Sequence, residues 1–211
     1  MFILLGAGAL ARDIVETVSG SGRSDLPAGF LVHSDYATEK TVWGLPVFTE
    51  YDDLPTREFV VGVGDRELRL QMISYAGEIG LIAAEPLVSA ATYVSPRAEI
   101  HGGVGLGFNS IVECNVIIGE HSLLMHNALV SHDCRVGENC VVAPGAVVEG
   151  HATVGKHSFI GANAAIAPGV TIGDNCHVSP GSSVLRDVPD GSTVIGNPGR
   201  IIKSVEPKVS A

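Results

Sequence analysis

The chain has 211 residues, enough for one or two domains, and carries 23 acidic against 13 basic side chains for a formal charge of −10. That excess of acid, with no local basic cluster, excludes a phosphate backbone as partner, so no nucleic acid is expected. The apolar start at 2–5 has no Lys or Arg before it and is cut short by Arg12-Asp13; it reads as a strand rather than a signal peptide, and no other stretch is long enough for a membrane span.

From the amino end, the pattern predicts a strand over 2–5, a tight turn at Gly6-Ala7-Gly8 and a helix over 9–18. Further strands are expected at 30–33 and 59–63, the latter ahead of Gly64-Asp65, with a second helix over 66–76. Strand, glycine turn and helix in repetition make a small βαβ (Rossmann-like) domain with a parallel sheet, assigned to 1–84. Gly6-x-Gly8-x-x-Ala11 is a truncated dinucleotide fingerprint, and a tight turn without any ligand explains it equally well. There is no room for the second half of a dinucleotide fold. NAD is therefore not expected, whereas a mononucleotide or sugar nucleotide fits at the carboxyl ends of these strands.

After a linker at 85–92, an aliphatic residue recurs at every sixth position between 94 and 184 without a miss. Two positions before each lies a small residue, and three positions after it sits Asn, His, Asp or Gly at most repeats. Period six fits neither helix nor plain strand; it describes one short strand and one sharp corner per repeat, the corner supplied by residues that tolerate positive φ. Three strands per turn make an eighteen-residue coil over 93–186, stacked at about 4.8 Å per turn. The segment 187–211 leaves the register and is expected to cap the open end through Gly196-Asn197-Pro198-Gly199-Arg200. Cys134, Cys140 and Cys176 fall in the small inward slot, so packing accounts for them better than disulfides or metal, and reduced thiols suit a cytoplasmic protein.

Stacking by eighteen places Pro96, Cys114, His132, Gly150 and Pro168 in one corner column. Gly150 leaves a vacancy beside the His132 imidazole and exposes a backbone N–H there. An imidazole base next to an oxyanion donor suits attack on a thioester carbonyl. The other corner histidines are not expected to face such a vacancy, and His121, His151 and His157 read as turn residues. Asp133 either serves its corner alone or also orients the His132 ring. His121-x4-His126 resembles part of the γ-type carbonic anhydrase metal site, but the upstream histidine of that family is missing; no metal is expected.

The hexapeptide pattern resembles the left-handed parallel β-helix of hexapeptide-repeat acyltransferases. With the Gly-Ala-Gly βαβ domain, Tyr93-Val94-Ser95-Pro96-x-Ala98, Ser131-His132-Asp133-Cys134, Pro144-Gly145-Ala146 and Gly196-Asn197-Pro198, the chain resembles the sialic-acid O-acyltransferase type of sugar acetyltransferase, which includes N-acetyltransferases of nucleotide-linked amino sugars in bacterial glycan synthesis. The left hand of the coil is taken from this resemblance. It implies a homotrimer with acetyl-CoA in the cleft between neighbouring prisms and the acceptor held partly by the N-terminal domain. By position, it makes His132 the general base with Asp133 as acidic neighbour, and Gly150 the N–H donor to the thioester oxygen. Ala162 would bond the pantetheine through its backbone, with Ser179, Pro180 and Gly181 further along the cofactor arm. Gly8, Asp35, Gly64 and Asp65 match acceptor contacts. Leu10 stands where the family usually has a histidine, and Val32-His33-Ser34 where an acidic pair is usual. The expected activity is transfer of an acetyl group from acetyl-CoA to a nucleotide-linked amino sugar. O-acetylation of a sugar or sialic acid, and a non-catalytic sugar-nucleotide scaffold, are the alternatives.

Overall fold

A computed structural model describes residues 1–19 and 26–203. The amino-terminal part is a six-stranded sheet of β1 (Phe2–Leu5), β2 (Pro27–Leu31), β3 (Thr41–Val42), β4 (Leu45–Phe48), β5 (Glu58–Val61) and β6 (Ile82–Ala83), in the order β3-β4-β2-β1-β5-β6. All neighbours are parallel except the β3–β4 hairpin. The sequence reading finds three of these strands and both helices; it places β2 three residues late and misses β3, β4 and β6. Two-residue strands and the Pro46-containing β4 carry too little alternation to register as strands.

Helix α1 (Ala9–Ser19) buries Ala11, Ile14, Val15 and Val18, a single stripe at helical spacing, against Phe2, Leu4, Phe30 and Val60. Helix α2 (Arg66–Glu78) starts on the Asp65 cap, whose carboxylate accepts from Leu68 N at 2.8 Å, and packs Ala76 with Ile3, Leu5, Phe59 and Val61 on the other side of the sheet. With helices on opposite sides, β1 is the switch point of the sheet. The carboxyl ends of β1, β2 and β5 frame the crevice that such sheets use for ligands.

The rest of the chain coils into a left-handed parallel β-helix. Up to the last turn, each strand pairs in parallel with the one eighteen residues on, as in Ile111↔Leu129 and Ile117↔Arg135. Three faces result: face I through Leu106, Leu124, Val142, Ile160 and Val178; face II through Val112, Val130, Val148, Ile166 and Val184; face III through Ile118, Val136, Val154 and Ile172. These aliphatics and the small slots between them form one continuous core. Val94 and Ile100, on the first turn, are only partly buried.

The small slot has a reason beyond volume. Its hydroxyl or thiol donates to a carbonyl fifteen residues on: Thr92 to Gly107 O at 2.9 Å, Ser122 to Gly137 O at 2.7 Å, Cys140 to Gly155 O at 3.0 Å and Ser158 to Gly173 O at 2.9 Å. Burial pushes the Cys140 thiol up to about 12 and the Cys134 thiol up to about 11, so both are held as neutral donors. The corner slots adopt left-handed backbone as their residue types require, among them His121 (φ 58°), Asp133 (φ 60°), His151 (φ 62°) and His157 (φ 56°).

At both ends the coil reaches further than its aliphatic register suggests. Leu87–Val88, inside the stretch read as a linker, pairs with Gly105–Leu106 as the first rung. At the far end Val188 bridges Ile172, and Thr193–Ile195 pairs with His177–Val178. The loop at 196–199 then returns the chain as Arg200–Lys203, antiparallel to that last rung.

Candidate active site

Each of the three prism edges presents histidines, and their surroundings differ. Edge III/I carries His121, Asn139, His157 and Asn175, and α2 lies on it. Arg69, fully buried, donates from Nε to Asn139 Oδ1 at 3.0 Å, from Nη1 to Val63 O at 2.8 Å and Val61 O at 3.2 Å, and from Nη2 to His121 O. Arg66 reaches Asn175 O at 3.0 Å. His121 is buried and stacked on Phe59 at 5.0 Å, and burial lowers its pKa. Burial also lowers Arg69 to about 10; it remains a cation at neutral pH, neutralised by carbonyl dipoles rather than a carboxylate. Edge I/II carries His126, whose Nδ1 accepts from Phe108 N at 3.1 Å and whose Nε2 lies 3.2 Å from the Asp13 carboxylate of α1. An apolar crevice between α1 and face I, lined by Leu10, Ile14, Leu106, Leu124 and His126, completes this contact. The amino-terminal sheet thus covers face I and both of its edges.

Edge II/III, opposite, is open and carries His132. The ring is half-exposed, and Nδ1 lies 2.9 Å from Asp133 Oδ2. Asp133 is itself held: Asn115, one coil turn away in the same column, donates Nδ2–H to Oδ1 at 3.0 Å. The Asn115 bond, then the His132 bond, hold the Asp133 carboxyl below its ordinary value, so it is an anion at neutral pH. The His132 N–H donates to Glu113 Oε2 at 2.9 Å. A Cβ on Gly150 would stand 2.7 Å from Cε1 and 2.8 Å from Nε2 of His132, so the imidazole occupies the space a side chain would need. The Gly150 N–H makes no hydrogen bond among the described residues, although Gly150 O accepts from Gly169 N at 3.0 Å. His151 stands edge-on to His132 at 5.1 Å.

With Nδ1–H donated to the carboxylate, His132 Nε2 keeps its lone pair and has no hydrogen-bond partner among the described residues, so it can take a proton. The free N–H of Gly150 beside it supplies a donor for developing negative charge. Asp133 is both a corner residue and the partner of His132, so the two readings of it are not exclusive. Glu113 and Asn115 escaped the sequence reading, though the eighteen-residue spacing from Asp133 was available for Asn115. Contrary to the expectation from sequence, His132 is not alone in facing a glycine: Gly103 stands beneath the His121 ring just as Gly150 does beneath His132. What distinguishes His132 from His121 is that none of the described residues roofs it, leaving the ring half-exposed.

The residues assigned to the cofactor arm do not converge with His132 within one chain. Ala162, Ser179, Pro180 and Gly181 lie on edge I/II, across face II from Gly150. The Ala162 N–H makes no hydrogen bond among the described residues. The acceptor residues do gather. Gly8 and Leu10 follow β1, Gly64 and Asp65 follow β5, with Leu10 Cδ2 3.9 Å from where a Gly64 Cβ would be, and Asp35 follows β2 in a short 3-10 turn braced by the His33 ring. Tyr36, the next residue after Asp35, is strongly exposed and stands edge-on to the His33 ring at 6.2 Å. Asp65 also caps α2. This crevice lies on the face I side of the prism, away from His132 of the same chain.

Fold and site together define a left-handed β-helix of hexapeptide repeats joined to a small α/β sheet. Residues 115–150 and 151–186 match the family Bacterial transferase hexapeptide (six repeats). The acetyltransferase domain of PglB from Neisseria gonorrhoeae, solved with acetyl coenzyme A, superposes with a TM-score of 0.85 at 26% identity, covering 95% of this chain and 98% of that one. A histidine-to-alanine mutant of GDP-perosamine N-acetyltransferase from Caulobacter crescentus, solved with CoA and GDP-perosamine, superposes with a TM-score of 0.87 at 27% identity, covering 96% and 97%. Among curated relatives, UDP-3-O-acylglucosamine N-acyltransferase of Caulobacter vibrioides is 53% identical over 111 residues, which are 51% of this chain and 33% of that protein. The chain thus matches only about a third of the length of that relative, and it resembles the sugar N-acetyltransferases end to end.

Proposed function

We propose that this chain is an acetyl-CoA-dependent N-acetyltransferase of a nucleotide-linked amino sugar, working as a cytoplasmic homotrimer. The observation that carries the reading is the open His132–Asp133 pair with its ring seated over Gly150. Asp133, kept ionised by Asn115, fixes the His132 tautomer. The acceptor amine attacks the thioester carbonyl carbon; His132 Nε2 takes the amine proton, the Gly150 N–H steadies the oxyanion, and collapse expels the thiolate of CoA, which recovers a proton.

The positions of the parts support a trimer. The acceptor crevice and the His132 edge are on opposite sides of one prism, and the cofactor-arm residues occupy a third position. Packing prisms around an axis lets edge II/III of one chain face edge I/II and the amino-terminal sheet of another, so donor, acceptor and base meet between chains. Reduced, buried cysteines support the cytoplasm. Among the described residues no helix is long and apolar enough to cross a membrane.

The test is release of CoA from acetyl-CoA with a panel of nucleotide-linked amino sugars and their hydroxyl counterparts. Turnover with an amine acceptor supports the reading. Turnover only with hydroxyl acceptors would replace it with O-acetylation, and binding of sugar nucleotides without any turnover would replace it with a scaffold.

A further inference from the structure

The open edge holds more than a base and its carboxylate. His151 occupies the corner slot one coil turn beyond Asp133, and its Nε2 lies 3.9 Å from the same Asp133 Oδ2 that His132 Nδ1 meets at 2.9 Å. The two imidazoles stand almost perpendicular, 86° apart. One ligand atom from each of the three residues falls within 4.8 Å of the other two. Ligands at about 2.0–2.1 Å from a tetrahedral ion are about 3.3 Å apart, a spacing that the two measured separations bracket. Asp133 and His151 have their backbones fixed by the coil at φ 60° and 62°, and Asn115 holds the carboxylate from behind. Two imidazoles and a carboxylate suit a borderline cation rather than Mg²⁺ or Ca²⁺, which prefer all-oxygen sites.

We propose that His132, Asp133 and His151 bind a borderline divalent cation, Zn²⁺ by ligand chemistry, and that occupancy of this site blocks acetyl transfer. The block follows from the tautomer. A metal on Nδ1 of neutral His132 leaves the ring proton on Nε2, which then has no lone pair for the acceptor amine, and it takes Asp133 out of its orienting role. The ion is thus an inhibitor that competes with the base for one ring, not a cofactor. The inhibition rests on the acetyltransferase reading; the binding does not.

Two measurements test this on the full-length, metal-free protein. In the first, Co²⁺ is titrated as a spectroscopic probe. The site predicts tetrahedral visible absorption at one ion per chain, and at least about tenfold weaker binding in His151→Asn. Asparagine suits that position, since Asn115 takes the same left-handed slot at φ 58°. In the second, acetylated product is followed directly, because the released thiol itself binds zinc. Zn²⁺ should suppress product formation by the native protein, chelator should restore it, and His151→Asn should match the native rate without metal and resist zinc. Absence of the Co²⁺ spectrum in the native protein, or a spectrum unchanged in His151→Asn, overturns the site, and activation by Zn²⁺ or equal inhibition of both proteins overturns the block. Absence of acetyl transfer under all conditions would sink the acetyltransferase reading, while the Co²⁺ titration would still decide the site.

Discussion

At edge III/I of the prism His121 lies against Gly103, and at edge II/III His132 lies against Gly150; both rings fill the space of a missing side chain. His121 is roofed by α2, stacked on Phe59, and its carbonyl is engaged by Arg69. Among the described residues His132 has no element above it, and it instead meets an ionised carboxylate. The repeat makes both corners in the same way, so a histidine one turn from a glycine is not itself a site. Cover from the amino-terminal domain turns one corner into a domain joint and leaves the other open.

The largest expected effect separates the two directly. His132→Ala should lower kcat by about 10²–10⁴-fold, the range of a positioned general base, with KM for acetyl-CoA and the melting temperature little changed. Steady-state kinetics with thermal melting checks this. Full activity in the variant would remove His132 from the site whatever becomes of the fold.

Next come the two glycines. In Gly150→Ala the new methyl displaces an exposed ring, so activity should fall with little loss of stability. In Gly103→Ala it meets a buried ring on a backbone at φ 68°, so stability should fall instead. The comparison fails if the pair behaves alike.

Arg69→Met removes the charged donor shared by three carbonyls and Asn139, with charged hydrogen bonds worth about 1.5–3 kcal/mol each in favourable cases. Faster hydrogen exchange should appear in α2 and at the His121 corner and leave the His132 corner unchanged. A uniform rise along the coil would mean that the joint is not local.

Within the coil, Ile160→Asn buries an unpaired amide at a cost of about 1–3 kcal/mol, and at about 2–4 °C per kcal/mol for a chain of this size the melting temperature should drop measurably. His157→Asn, which keeps a left-handed corner residue, should melt nearly as the native protein does.

The smallest effect is the pH response of the joint. His121 has its pKa below the ordinary 6.5, so its contribution to stability is fully present above 6.5 and is lost as pH falls through the lowered folded value. The melting temperature should therefore decline on acidification below 6.5, and the decline should be shallower in His121→Asn. Parallel declines in both proteins would place the acid sensitivity elsewhere.

Periodicity determined most of the coil. A six-residue aliphatic register with corner asparagines admits one local solution, because strand alternation and positive φ are properties of the residues themselves. The register also placed His132 and Gly150 in one column and Asp133 in the next, since a column position depends only on spacing. The short strands of the amino-terminal sheet were lost to it, because strands of two residues are defined by their neighbours' hydrogen bonds and not by their own pattern. Tertiary structure alone decided which corner stays open. His121, His126 and His132 occupy similar corners in sequence, and only the docking of α1 and α2, through Asp13, Arg66 and Arg69, covers two of the edges and spares the third. That choice depends on contacts between residues up to 113 positions apart, such as His126 with Asp13, which no local pattern records.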